Sequence, residues 1–324
     1  LVLTDALRPE PLRRVLHRLF DVESRHFGNA DLRAEEIYDD LNVSAADVGL
    51  DQVPVVASQG EFSGRVLLVE DNPVNLGVVQ KALSKIGLKC ETASDGHEAL
   101  AQFNRQRFDL IFMDCQMPGM DGYEATRQIR LQEAADGSIP TAIVAMTANA
   151  MAGDREKCIA AGMDDYLAKP VGLDQLHECV AGWLAAAPKL PREAELKASV
   201  AVQQEQEEMA VLDQKVLREL KEIMDDDYLS LLRTYLRNAP QLLEQAHAAI
   251  GQNDVAAMVL PVHSLKSSSA NVGAMQLSRL ARDAEQLARA GDLAAATAAF
   301  RAVEAAFGDA EAALQEQVAS DSAA

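Results

Sequence analysis

Four short apolar runs punctuate residues 65–187, and each ends in a residue that carries charge or a hydroxyl. Arg65-Val66-Leu67-Leu68-Val69 runs into Glu70-Asp71, and Asp109-Leu110-Ile111-Phe112-Met113 runs into Asp114. Thr141-Ala142-Ile143-Val144-Ala145-Met146 ends in Thr147, and Asp165-Tyr166-Leu167-Ala168 in Lys169-Pro170. Runs this short and continuous, rich in β-branched and aliphatic residues, predict strands buried on both faces. Amphipathic stretches such as Glu98–Arg107 and Gly122–Glu133 separate them. Strands alternating with helices predict an α/β fold built on a doubly wound parallel sheet. In such a sheet the site lies at the carboxyl ends of the strands, where every polar residue just named falls.

The pattern changes after residue 187. Pro188, Pro191 and the polar stretch around Glu205–Glu208 predict a linker over residues 188–210. From Val211 onward the chain is rich in Ala, Leu, Glu and Gln with helical periodicity. Breaks at Asn238-Ala239-Pro240, Gly251–Asp254, Gly273 and Gly291-Asp292 predict four or five helices, packed as an all-α antiparallel bundle over residues 211–318. Residues 319–324 are expected to be a disordered tail. Residues 1–64 are too mixed to predict a domain, although Pro11–Phe20 is amphipathic.

A chain of 324 residues accommodates about two such domains. Its 50 acidic against 30 basic residues give a net charge of -20, which argues against a nucleic-acid partner. Cys90, Cys115, Cys158 and Cys179 show no metal-ligand spacing and read as reduced thiols of a cytoplasmic protein. No apolar run approaches the ~18 residues of a membrane span, so no membrane contact by this segment is expected. The chain opens on Leu1 rather than Met, which reads as a piece of something larger.

A carboxylate attacks phosphorus poorly unless charge repulsion is screened. Adjacent acids at one strand end, facing a third, offer hard oxygens to Mg²⁺, which also binds phosphate. A lysine and a hydroxyl complete a cradle for phosphoryl oxygens. Glu70, Asp71, Asp114, Thr147 and Lys169 are the residue types required. Taken singly, Glu70-Asp71 before Asn72-Pro73 could merely cap a helix, and Asp114 a loop. Their fall at the ends of separate strands favours the shared site.

Residues 65–187 resemble the receiver domain of two-component response regulators. The likeness is carried by Val69-Glu70-Asp71-Asn72-Pro73-Val74-Asn75, by Met113-Asp114-Cys115-Gln116-Met117-Pro118-Gly119-Met120-Asp121-Gly122, by Ala145-Met146-Thr147-Ala148 and by Asp165-Tyr166-Leu167-Ala168-Lys169-Pro170. The resemblance implies a five-stranded, flavodoxin-like sheet with Asp114 as phosphoacceptor. It implies Mg²⁺ held by Asp71, Asp114 and the backbone carbonyl of Gln116, with Glu70 reaching the ion through water. It places Lys169 on Asp114 and then on its phosphoryl group, and makes Thr147 and Tyr166 the switch residues. Leu76 stands where close relatives often carry Gln.

In the helical half, His263-Ser264-Leu265-Lys266 sets an imidazole and an ammonium three residues apart on one face. The small residues Ser267, Ser268, Ser269 and Ala270 follow, and predict an unobstructed imidazole; no acids are expected there to bind Mg²⁺. Residues 211–318 resemble a histidine-containing phosphotransfer (HPt) domain, through the run from His263 to Ala274. That resemblance implies that His263 is the phosphocarrier and that Lys266 stabilises the charge it gains. Ser267 departs from it, since many relatives carry Gly there. His17, His26, His97, His177 and His247 lack this context and read as solvated or structural.

Leu3-Thr4-Asp5-Ala6-Leu7-Arg8-Pro9-Glu10-Pro11-Leu12 is similar to the last strand and helix of another receiver, with Asp5-Ala6 where Lys-Pro is expected. The implied parent is a bacterial hybrid sensor histidine kinase anchored in the inner membrane and ending receiver–receiver–HPt. These 324 residues carry no ATP-binding kinase signature, which leaves open whether the segment is an enzyme. The expected function is phosphorelay. A histidine kinase domain, in cis in the parent or in trans, phosphorylates Asp114. The group passes to His263 and then to the receiver of a downstream response regulator. The alternatives are a phosphate sink, with Gln116 and Asn149 flanking the site of attacking water, and a docking module modulated by phosphorylation.

Overall fold

The computed structural model describes residues 62–147, 152–184 and 210–323. The readings made on the amino-terminal stretch, on most of the linker and on Asn149 lie outside the described residues.

Five parallel strands form one sheet in the order β2-β1-β3-β4-β5. They are β1 Val66–Val69, β2 Cys90–Ala93, β3 Leu110–Asp114, β4 Ala142–Thr147 and β5 Asp165–Ala168. The helices between them are α1 Pro73–Lys85, α2 Gly96–Arg105, α3 Gly122–Asp136, α4 Ala152–Ala161 and α5 Leu173–Leu184. Successive strand residues face opposite sides. Leu68, Phe112, Val144 and Met146 therefore pack toward Val79, Leu83, Leu176 and Val180 of α1 and α5. Leu67, Ile111, Met113 and Ile143 pack toward Ala99, Phe103, Ile129 and Cys158 of α2, α3 and α4. Strands β1, β3 and β4 are buried along their whole length, as their continuous apolar runs predict. The edge strand β2 buries only Ala93, so its sequence carries no such signal.

Helix starts fix the geometry near the strand ends. Asn72 caps α1: its Oδ1 accepts from the Val74 amide at 2.9 Å, and Pro73 opens the helix. Gly122 opens α3 so close to β3 that an added Cβ would lie 2.0 Å from the Asp114 carbonyl oxygen. Gly122→Ala is therefore expected to push the end of β3 out of place, at a cost of about 1–3 kcal/mol. Thermal unfolding against wild type measures it, and an unchanged midpoint would contradict it.

The helical half contains α6 Gln214–Met224, a 3₁₀ turn at Asp225–Asp227, α7 Tyr228–Gly251, α8 Val255–Asn271, α9 Met275–Arg289 and α10 Leu293–Ala323. Helices α7 to α10 pack on one another around Leu232, Tyr235, Met258, Val262, Leu277, Ala284, Phe300 and Val303. Two sequence expectations need correction. Asn238-Ala239-Pro240 does not break the chain, since α7 runs through Pro240. An internal proline costs about 3 kcal/mol, but Leu232, Tyr235, Ala239 and Ala246 are all fully buried along this helix and outweigh it. Nor is 319–323 a tail: α10 continues to Ala323, held by Lys221 donating to Asp321 at 2.7 Å and Arg233 to Ser322 at 3.3 Å.

The two folded halves touch. Helix α1 lies against α6, α7 and α8, and Val74 and Val78 join the helical core. At the rim, Lys81 pairs with Asp227 at 2.6 Å and Lys85 with Asp225 at 2.9 Å. Exposed pairs of this kind contribute only about 0.2–1 kcal/mol each.

Candidate functional site

The ends of β1, β3 and β5 bring the predicted acidic residues together. Carboxylate oxygens of Glu70, Asp71 and Asp114 lie within 4.8 Å of one another. Lys169, at the end of β5, reaches between two of them, 2.6 Å from Glu70 and 2.7 Å from Asp114. Its backbone amide donates to the Thr147 carbonyl at 2.7 Å, which ties β5 to the end of β4. Thr147 is buried there, and Tyr166 is half-buried against the layer of α2–α4.

One cation among three carboxylates leaves the cluster short of positive charge. Burial, and then the charge of Asp114, raise Glu70 well above the usual carboxylate range. The same two causes raise Asp71 to about 6. Burial alone would lower Lys169, but the charges of Asp114 and Glu70 raise it further and keep it an ammonium. A hard divalent cation fits this donor set, since it would relieve the crowding that these shifts report.

His263 sits on α8 and is 3% exposed, against the expectation of an open imidazole. Its Nδ1 lies 2.8 Å from Glu285 Oε1 on the facing helix α9. Glu285 also accepts from Lys266 at 2.5 Å and from Arg289 at 2.6 Å. Burial alone would raise Glu285, but its bonds to His263 and Lys266 hold it far below the usual carboxylate range. Burial lowers His263 from its ordinary value, although Glu285 opposes that. A neutral imidazole beside an ionised carboxylate keeps its proton on Nδ1 and its lone pair on Nε2. Lys266 Nζ lies 3.4 Å from Nδ1, a distance set by its shorter bond to Glu285.

Sequence reasoning did not find Glu285 as the partner of His263. It lies 22 residues away among the charges of α9, where a glutamate reads as solvent-facing. The available signal is its register: Leu277, Ala281, Ala284 and Ala288 form the buried stripe of α9, and Glu285 falls inside it.

The two sites face each other across the contact between the halves. Gln116, next but one to Asp114, donates its amide to Asp114 Oδ1 at 3.2 Å and accepts from Arg289 at 2.5 Å through its side chain. Asn72 Nδ2 donates to the Ser264 carbonyl at 3.3 Å.

This arrangement defines a chain with one acid-lined site and one histidine site, each built on its own domain. Residues 66–181 match the response regulator receiver domain model, and residues 230–317 match the Hpt domain model. Residues 66–181 thus belong to the receiver domain family and residues 230–317 to the Hpt domain family, the paired parts of phosphorelay signalling. Sensor histidine kinase GacS of Pseudomonas protegens is 36% identical over 228 residues, 69% of this chain and 24% of that protein. Virulence sensor protein BvgS of Bordetella pertussis is 36% identical over 167 residues, 48% of this chain and 14% of that protein. The chain spans about a quarter or less of the length of these curated relatives. A solved receiver domain, that of sensor histidine kinase PA1611 from Pseudomonas aeruginosa PAO1 with a magnesium ion in its active site cleft, is 46% identical. It covers 37% of this chain and 97% of that chain, with a TM-score of 0.35. Among the described residues, no helix is long and apolar enough to cross a membrane.

Proposed function

We propose that Asp114 accepts a phosphoryl group from a histidine kinase domain and passes it to His263, which delivers it to the receiver of a downstream response regulator. The kinase is one carried in the same parent protein or by a partner chain. The observation that carries this reading is the joint burial of both sites at one contact, where Arg289, bound to the Glu285 that holds His263, also donates to the side chain of Gln116 beside Asp114.

In the transfer, the bond from phosphorus to Asp114 Oδ breaks as a bond from His263 Nε2 forms. The leaving carboxylate keeps its electron pair, and Lys169 receives it. The Nδ1 proton stays in place against Glu285, so no proton must leave, and the positive charge the phosphorylated ring gains is balanced by the Glu285 carboxylate. Lys266 and Arg289, both on Glu285, set positive charge near the incoming phosphoryl oxygens. Glu70, Asp71, Asp114 and the Gln116 carbonyl would hold Mg²⁺, which supplies positive charge to those oxygens. Thr147, at the end of β4, and Tyr166, within the neighbouring β5, carry the change of state to the α4–β5 surface.

Incubating the chain with a soluble histidine kinase core, labelled ATP and Mg²⁺ tests the reading. Label is expected at both Asp114 and His263, and later on an added receiver. A chain that takes up no label at either residue is not a relay component.

The acid cluster also sets a pH dependence for the metal. Without metal, Glu70 and Asp71 have raised values, so the folded chain binds more protons than the unfolded one. Their contribution to stability is present below about pH 4 and is lost as pH rises through about 6 for Asp71, and higher for Glu70. Mg²⁺ competes with those protons, so its affinity is expected to rise by up to about tenfold per pH unit below that point. The increase in melting temperature given by Mg²⁺ should therefore be larger at about pH 8 than at about pH 5. An equal increase at both would contradict the site.

A further inference from the structure

Asn75 is an amide buried between the two sites, 2% exposed, and it has no part in the chemistry above. Its Nδ2 donates to Glu70 Oε1 at 2.9 Å and to Ser267 Oγ at 3.0 Å. Its Oδ1 accepts from Asn271 Nδ2 at 2.8 Å. Both amide protons and one oxygen lone pair are thus engaged, one bond inside the receiver and two across to the Hpt domain.

The partners on α8 are in register. His263, Ser267 and Asn271 are spaced four and eight residues apart, which places them on one helix face. The Ser267 hydroxyl can spend its own proton on the Ser264 carbonyl at 3.2 Å or the His263 carbonyl at 3.4 Å. Its oxygen is then left to accept, and the group opposite must donate. Glu70 asks for a donor as well, whereas Asn271 asks for an acceptor. A planar amide meets all three demands at once. A carboxylate at position 75 would oppose Glu70, and an alkyl group would leave Glu70, Ser267 and Asn271 each short of a bond in a buried place.

We propose that Asn75 is a positioning and partner-selecting residue: it registers the receiver on the histidine helix and favours Hpt domains that present a hydroxyl and an amide four and eight residues after the histidine. The role rests on the Asp114-to-His263 reading. Ser267 is the element that supplies selectivity, because a glycine or alanine there removes the acceptor. A downstream receiver that docks on the same face of α8 is expected to present an amide at the third position of its first helix.

The test is a double-mutant cycle on the full chain with Asn75→Ala, Ser267→Ala and the pair, loaded by a kinase core with Mg²⁺. The quantity read is the rate of His263 labelling relative to the amount of acyl phosphate on Asp114. Ser267→Ala is expected to lower it by about tenfold, Asn75→Ala by more because it also loses the Glu70 and Asn271 bonds, and the pair little further than Asn75→Ala, since the bond between the two is already gone. Effects that multiply, or a ratio equal to wild type in both single variants, would overturn the role of Asn75. Should Asn75→Ala fail to fold, Ser267→Ala paired with Ser267→Asn keeps the test. The first is expected to slow transfer about tenfold and the second, which returns a polar acceptor to that face, to slow it less. Equal rates in the two would overturn the proposal. If wild type itself never labels His263, it is the relay reading that fails, and the two failures are distinguishable.

Discussion

Chains carrying Asp114→Asn are expected to take up no phosphate at either residue, a loss of at least about 10³-fold, because the nucleophilic oxygen is gone. The substitution preserves shape and leaves Lys169 paired with Glu70, so no buried charge is orphaned. The variant should fold, and a melt run alongside verifies that. His263→Gln divides the pathway at its second step. The glutamine amide can still donate to Glu285, so the α8–α9 contact survives. Label should then accumulate as base-labile acyl phosphate on Asp114, with none in the acid-labile, base-stable form. Base-stable label in the His263→Gln chain would mean that a different histidine carries the group, and in the Asp114→Asn chain that the histidine is loaded by a route other than Asp114.

The second large effect is expected at Glu285. Glu285→Ala removes the acceptor that fixes the His263 tautomer and leaves Lys266 and Arg289 without the carboxylate that gathers them. Partners that orient a reactive imidazole are worth about 10–10²-fold, and transfer should slow by that amount while acyl phosphate still forms on Asp114. The pH dependence separates orientation from protonation. Burial lowers His263, and Glu285 is the group that raises it. Removing Glu285 moves His263 further down, so its imidazole is neutral over a wider range than in wild type. The defect should therefore persist from about pH 6 to about pH 8. Recovery at the higher pH would show that protonation was at fault and sink the orienting role. Glu285→Gln, which keeps an acceptor for Nδ1, should retain more activity than Glu285→Ala.

What the sequence revealed followed from how completely each element is buried. Strands β1, β3 and β4 are covered on both faces, so their apolar runs are continuous and their polar ends conspicuous. Those ends are Glu70-Asp71, Asp114 and Thr147, so most of the acidic site came with the strands. The helix cap weighed as an alternative for Glu70-Asp71 is made by Asn72 instead. Pro240 misled because local propensity is weak against a stripe of buried residues. Glu285 and the Asn75 junction were hidden for another reason: their partners come from elsewhere in the chain. Asn75 meets Ser267 across 192 positions and Asn271 across 196. Periodicity reports which face of an element is buried, but not which element covers it. His263 illustrates the point, since its small neighbours do clear a docking face, and this chain's own receiver occupies it.

The most direct test of the account is a pulse-chase time course on the wild-type chain. Label is loaded from a soluble kinase core with Mg²⁺, the kinase is removed, and acyl phosphate and phosphohistidine are followed together. Base-labile label on Asp114 is expected to fall as base-stable, acid-labile label on His263 rises, at a rate independent of chain concentration. Label that leaves Asp114 only as inorganic phosphate, with none reaching His263, would contradict it.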